Sequence, residues 1–369
     1  MQPLAGIRVL DFSTLLPGPM ATLFLAEAGA EVIKIERPGS GEDMRAYQPR
    51  FGADSVNFGL LNRGKKSLAI DLKAEGSVAR LRPLVESADI VVEQFRPGVM
   101  DRLGLGYEAL RAINARIIYC AITGYGQTGP RRELAAHDLN YAADAGMLSI
   151  SADPSGAPVL PNALIADIAG GAYPAVINIL LALRRRDATG EGAYLDISMA
   201  DSLFPFQYWA IGAGEAAGEW PAPGTGLVAG GSPRYQIYRT ADGKFLAAAP
   251  LEEKFWRNFC AAIGLAPEHV DDTRDPRGVI GAVAALIASR PAAHWVECLR
   301  GKDVCCAIAA SVQHAATDPA FAARGLFDHK LANDGRTITA IPVPIAGEFR
   351  SRERVKGYPQ LGADNSLLE

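Results

Sequence analysis

The chain has 369 residues, more than one hydrophobic core usually organises, so two domains are expected. Hydrophobic residues make up 49% and charged residues 21%, ordinary globular usage that excludes a disordered or fibrous chain. A net charge of −4 supplies no general field for nucleic acid or an anionic membrane, so any bound phosphate must be held by local cations.

The N-terminus, MQPLAGIRVLDFS, lacks the basic, apolar and small-residue zones of a secretory signal, and a cytoplasmic protein is expected. Residues 7–12 read as a first strand, Pro17-Gly18-Pro19 as a break, and MATLFLAEAG as a helix leading to a second strand, EVIKIE. Strand, helix and strand at this spacing form a βαβ unit with parallel pairing. The pattern recurs through SLAIDL, a polar helix over 74–87, DIVVEQF, a helix over 107–114 and RIIYCAITG, which predicts a Rossmann-like, doubly wound α/β domain. Two motifs nearby are decoys. In the stretch from Gly59 to Lys66, Lys66 occupies the Ser/Thr position of a P-loop and a strand follows where a helix should. The turn after the first strand, Leu15 to Pro19, carries no GxGxxG.

The apolar run 165–183 approaches membrane-spanning length but contains Asp167, Pro174 and Asn178, so a buried helix is expected instead. AYLDISM reads as a strand and 201–217 as a helix. The Gly- and Pro-rich residues 218–234 read as a linker, YQIYRTADGKFLAAAP as a hairpin turning at Asp242-Gly243, and the stretch to 299 as three helices. The expected organisation is a large domain over 1–217, a small α+β domain over 235–322, a return linker over 323–337, and completion of the large domain by 338–369 through a β-type run, TAIPVPIAGEF. Cys120, Cys260, Cys298, Cys305 and Cys306 are odd in number and contain no CxxC, so neither a disulfide frame nor a metal site is indicated.

Four residues stand out as candidates for chemistry. His137 follows a glycine-rich turn, TGYGQTGP, and heads a polar cluster with Asp138, Asn140 and Tyr141. Asp167 precedes Gly170-Gly171; a helix cap would explain the aspartate, but the glycines imply close approach of a ligand or another backbone. Arg37 and Arg96 each follow a strand and precede Pro-Gly, at the sheet edge where open α/β folds bind ligands, and arginine there suits phosphate.

Together, LAGIRVLDFSTLLPGP, NRGKKSLAIDLK, EQFRPGVMDRLGLGYEAL, TGYGQTGP, AHDLNYAADAG, ADIAGG and YRTADGKFLAAAPLEEKFW resemble the class III CoA-transferase superfamily (CaiB/BaiF type), and within it the α-methylacyl-CoA racemases. The resemblance runs over essentially the whole chain. It implies an interlocked homodimer acting on a small-molecule acyl-CoA, with coenzyme A as part of the substrate and no other cofactor required. By that resemblance Arg37, Ile70, Asp71, Leu72, Lys73 and Arg96 line the CoA nucleotide site, and the segment Ala136, Asp138, Leu139, Asn140 and Tyr141 receives the thioester. His137 and Asp167 become the two acid/base groups, joined by Glu252 of the partner subunit. Ala136 departs from the glycine usual in the racemases. In the transferases of this superfamily the matching aspartate is instead a nucleophile that carries CoA, which leaves CoA transfer between an acyl-CoA and a carboxylic acid as the alternative activity.

Overall fold

The computed structural model describes residues 2–153 and 155–369; the expected polar loop around Pro154 and Gly156 is described except at Pro154 itself, which lies outside them. The chain divides into two compact units, one of Met1–Ala145, Pro161–Pro205 and Pro319–Glu369, the other of Gly146–Leu160 and Phe206–Asp318.

The first unit is built on six short apolar strands, β1 (Arg8–Asp11), β2 (Glu31–Glu36), β3 (Lys66–Ala69), β4 (Ile90–Glu93), β5 (Ile118–Thr123) and β6 (Ala193–Ser198). All pair in parallel, in the order β3-β2-β1-β4-β5-β6. Leu10 of β1 faces Ile33 on one side and Val91 on the other, so the centre of the sheet is aliphatic and sealed on both faces. The helices α1 (Pro17–Glu27), α2 (Val56–Asn62), α3 (Ser77–Ser87), α4 (Tyr107–Ile113), α5 (Asp138–Asp144) and α6 (Tyr173–Thr189) connect or cover these strands. Pro17 opens α1 instead of breaking the chain before it, because a first-turn residue needs no backbone donor. On one face, Leu81, Leu84 and Val85 of α3 and Leu110 of α4 pack against Leu10, Ile33, Leu68 and Val91.

The expectation of a fully buried helix over 165–183 is corrected to a two-faced one. Residues 166–189 are helical and, among the described residues, form the one single helix long and apolar enough to cross a membrane. Ala175, Ile179, Ala182 and Leu183 are buried, whereas Ile177, Leu180 and Leu181 are exposed. Arg186 closes the buried side by pairing with Asp89 at 2.8 Å.

The second unit contains α7 (Tyr208–Ala217), the antiparallel strands β7 (Gln236–Arg239), β8 (Phe245–Ala248) and β9 (Cys306–Ile308), and helices α8 (Glu253–Ile263), α9 (Pro276–Ala288) and α10 (Ala292–Leu299). Its core is Trp256, Phe259, Val283, Ile287 and Trp295 beneath Tyr238 and Leu246. The expected boundary at 217 and linker at 218–234 are not what forms. The unit begins at Phe206 in this part of the chain, the Trp220 ring lies against Gly214 of α7, and Gly224 N–H donates to the Ile150 carbonyl at 2.9 Å. Apolar side chains between the glycines turn a composition typical of linkers into packed turns.

The return also differs. Strands β10 (Lys330–Asn333), β11 (Arg336–Thr339) and β12 (Val355–Gly357) form a small sheet within the first unit, so the expected linker at 323–337 is partly strand and 319–322 belongs with the large unit. TAIPVPIAGEF forms no strand beyond Thr339, since Pro342 and Pro344 cannot donate to a ladder.

Candidate active site

Strand order reverses between β1 and β4, and the two loops leaving their carboxyl ends diverge there to leave a crevice. It is a cavity of about 440 Å³, walled by Thr14 and Leu15 after β1, Arg96 after β4, Gly124 after β5 and Met199 after β6. His137 and Asp167 both line it.

Local chemistry fixes each of the two. His137 immediately precedes α5, and its backbone N–H donates to Asn140 Oδ1 at 3.0 Å. The Tyr141 hydroxyl donates to the Ala136 carbonyl at 2.8 Å, which ties the turn before His137 to the helix after it. A Cβ on Gly124 would stand 2.4 Å from the Tyr141 ring, so the glycine-rich turn after β5 makes room for that ring.

Asp167 lies in the first turn of a seven-residue π-helix, Ala166–Ala172, that runs directly into α6. Wide turns of this kind inside helices often accompany functional side chains. A Cβ on Gly170 would meet the Met199 carbonyl oxygen at 2.5 Å, so close backbone approach explains this glycine. Gly170→Ala is therefore expected to cost about 1–3 kcal/mol, as overpacking does. Gly281→Ala, on an exposed part of α9 where a Cβ meets nothing within 4 Å, is expected to stabilise by about 0.5–1 kcal/mol; urea titration of both variants checks the contrast.

The Asp138 side chain is buried and accepts the Asp167 N–H at 2.9 Å. Burial first, and the Asp138 carboxylate second, push Asp167 up to about 6, while nearby His137 pulls the other way. No hydrogen bond to the Asp167 carboxylate is recorded among the described residues. Arg96 is an exposed guanidinium with no ion pair among them, at the junction of this cavity and a smaller one lined by Glu93 and Tyr107. The site thus combines a carboxyl poised near neutrality, an imidazole and an uncommitted cation.

The chain matches CoA-transferase family III over residues 4–365. It belongs to that family. Among curated proteins it is 34% identical to an acetyl-CoA:oxalate CoA-transferase of Acetobacter aceti, over 99% of this chain and 95% of that one. It is 36% identical to the human alpha-methylacyl-CoA racemase, over 82% of this chain and 76% of the relative. Among solved structures, that of Rv3272 from Mycobacterium tuberculosis superposes with a TM-score of 0.85 at 30% identity, covering 100% of this chain and 99% of the other. This family III protein is accordingly an enzyme of the CoA-transferase and racemase superfamily, with the family's α/β fold.

The other residues expected at the site are distributed unevenly. Ala136, Asn140 and Tyr141 line the cavity, whereas the Asp138 side chain turns to the Asp167 backbone and Leu139 is exposed outside the lining. Leu72 and Lys73 line a separate recess of about 750 Å³ with Arg102 and Leu103. Ile70 is packed into the core under the sheet, and Asp71 holds its own turn by accepting the Lys73 N–H at 2.9 Å. Arg37 is exposed beyond β2 and pairs with Asp43 and, at 2.8 Å, with Ser40. Glu252 precedes α8 in the second unit, its exposed side chain without a recorded partner among the described residues. Lys65 and Arg63, basic residues of the rejected P-loop match, are buried on Asp11 and Glu27 and not free for a phosphate.

Sequence reasoning missed Thr14, Leu15 and Met199, and also Arg132, which lines the cavity upstream of His137. The one signal available was positional: Thr14, Leu15 and Met199 each lie just past the carboxyl end of a strand. The backbone amides at Asp167 and Ile168 are taken within the fold and are not open to an oxyanion. Asp167 N–H donates to Asp138 and Ile168 N–H to the Leu164 carbonyl at 3.0 Å.

Proposed function

We propose that the protein is an acyl-CoA racemase that inverts the α-carbon of 2-methylacyl-CoA thioesters by two-base proton transfer. The observation that carries this reading is that His137 and Asp167 line one cavity at the switch point of the sheet. Racemisation requires one group to remove the weakly acidic α-proton, its electron pair passing to the thioester carbonyl as an enolate. A second group must then return a proton to the opposite face. A carboxyl raised to about 6 can give a proton when neutral and take one when ionised within the ordinary pH range, as one of the two groups must. Asn140, whose Oδ1 is occupied by the His137 N–H, leaves its Nδ2 for the enolate oxygen. Arg96, without an ion pair among the described residues, suits a CoA phosphate. The reading extends to a homodimer, supported by the family resemblance, in which Glu252 of the partner subunit stands beside His137.

CoA transfer is the second reading, favoured by the alignment over 99% of the chain with a relative named acetyl-CoA:oxalate CoA-transferase. There the Asp167 carboxylate would attack the thioester carbonyl and expel CoA thiolate to give a mixed anhydride. The thiolate would then return to form an aspartyl-CoA thioester and release the acid. Incubating the purified protein with (2R)-2-methylacyl-CoA and resolving the products on a chiral column separates the two. Appearance of the 2S thioester without any added acid supports racemisation. Unchanged 2R thioester alone, with CoA moving to oxalate once oxalate is added, supports transfer.

The pH dependence is specific. Asp167 serves as base only when ionised, so proton removal from the enantiomer it faces should rise as pH increases through about 6 and level off above it. A rate independent of pH between about 5 and 7 would contradict the assignment of Asp167 as a base.

A further inference from the structure

In the position where dinucleotide-binding sheets carry a glycine-rich turn, this chain has Ser13-Thr14-Leu15-Leu16, and Leu15 sits at φ +62°, in the left-handed region. Thr14 and Leu15 wall the switch-point cavity. Something must hold a leucine there, and the backbone contacts identify it. Leu15 N–H donates to Glu42 Oε2 at 2.8 Å, and the Ser13 carbonyl accepts Lys34 Nζ at 2.8 Å. Ser13 N–H donates to Asp11 Oδ1 at 3.0 Å. Behind these contacts Lys65 Nζ reaches Asp11 Oδ2 at 3.1 Å, Thr22 Oγ1 at 2.7 Å and Asn62 Oδ1 at 2.8 Å. Glu42 lies 3.5 Å from Lys34, and Asp11, Lys34, Glu42 and Lys65 are all at most 6% exposed. None of these four lines the cavity. An ion network sealed from water holds its geometry more rigidly than a solvated loop could.

We propose that Glu42 is a positioning residue for the bound acyl-CoA: through the buried network it holds the Ser13–Leu15 turn in the shape that receives the ligand, without touching the ligand itself. This rests on the reading that the cavity takes a CoA thioester. It predicts that the network matters to binding through one backbone conformation, so a residue free to adopt that conformation should replace it. Glycine takes positive φ without a steric penalty, whereas a β-branched residue resists it.

The test is calorimetric titration of the full-length protein with acetyl-CoA, each variant first confirmed as folded by circular dichroism. Glu42→Ala should weaken binding about tenfold, and Leu15→Gly added to Glu42→Ala should recover affinity to within about threefold of the parent. Folded Glu42→Ala protein that binds like the parent overturns the proposal. So does a double variant as weak as Glu42→Ala, since that would mark general damage to the fold. If Glu42→Ala fails to fold, Leu15→Val decides: it leaves the network intact and should still bind about tenfold more weakly, and parental affinity would refute the turn's role. Failure of the parent protein to bind acetyl-CoA at all would strike the functional reading, a result separable from every one of these.

Discussion

His137→Ala and Asp167→Asn should each lower racemisation of a 2-methylacyl-CoA by about 10³-fold or more, because each removes one of the two groups needed to carry the proton across the α-carbon. The two variants should not be equivalent. Each retains the opposite base, so each should still exchange the α-proton of one enantiomer with solvent, and the enantiomer should differ between them. Proton NMR of the two thioesters in D₂O reads this directly. Loss of exchange from both enantiomers in either variant would mean that the two groups do not stand on opposite faces of one carbon. Full CoA-transfer activity in the His137→Ala variant, together with its loss in Asp167→Asn, would instead favour the nucleophilic role for the aspartate.

Asp11→Ala should cost about 3–5 kcal/mol of stability, because it breaks a buried ion pair. Asp11 is fully buried at the end of β1. Burial alone would raise its pKa, but the ammonium groups of Lys65 and Lys34, with hydrogen bonds from Ser13 and Thr22, overcome that and hold it well below the usual carboxylate range. Removing the carboxylate leaves Lys65 charged, dry and short of its partner. Replacing both, Asp11→Leu with Lys65→Met, should recover a large part of the loss, since the uncompensated charge is then gone. Urea unfolding of the single and double variants tests this, and equal loss in both would contradict it. The pH dependence follows from the same pair. A folded-state pKa below the unfolded value of 3.8 means that the stabilisation is present above about pH 4 and is lost as pH falls further.

The sheet was readable from sequence because its β-rich runs recur at βαβ spacing and its central strands are parallel and buried; EVIKIE is matched residue for residue by β2, with Lys34 buried among its apolar residues. The division into units was less readable. Gly- and Pro-rich chain at 218–234 has the composition of a linker whether or not it packs, and only tertiary contacts such as Trp220 on Gly214 decide which. The run TAIPVPIAGEF misled for the opposite reason, its β-prone residues outweighing two prolines that remove ladder donors.

In the site, the glycines beside Asp167 signalled a close approach, and Gly170 against the Met199 carbonyl supplies it. The meeting of His137 with Asp167 could not be derived from spacing; it was legible through resemblance alone, because a chain excursion separates α5 from the π-helix. The position of Leu15 after the first strand was legible, but its backbone conformation was not. A leucine at positive φ runs against local preference, and the residues that hold it come from distant stretches of sequence.

The most direct measurement is incubation of the unmodified protein with a single enantiomer of a 2-methylacyl-CoA in D₂O, without any acceptor acid, followed by mass spectrometry of the separated enantiomers. Two-base inversion predicts that the inverted thioester carries one deuterium at the α-carbon from its first appearance, with the pool approaching equal amounts of both forms. Recovery of the original enantiomer, free of deuterium and uninverted, from protein that binds the thioester would contradict it.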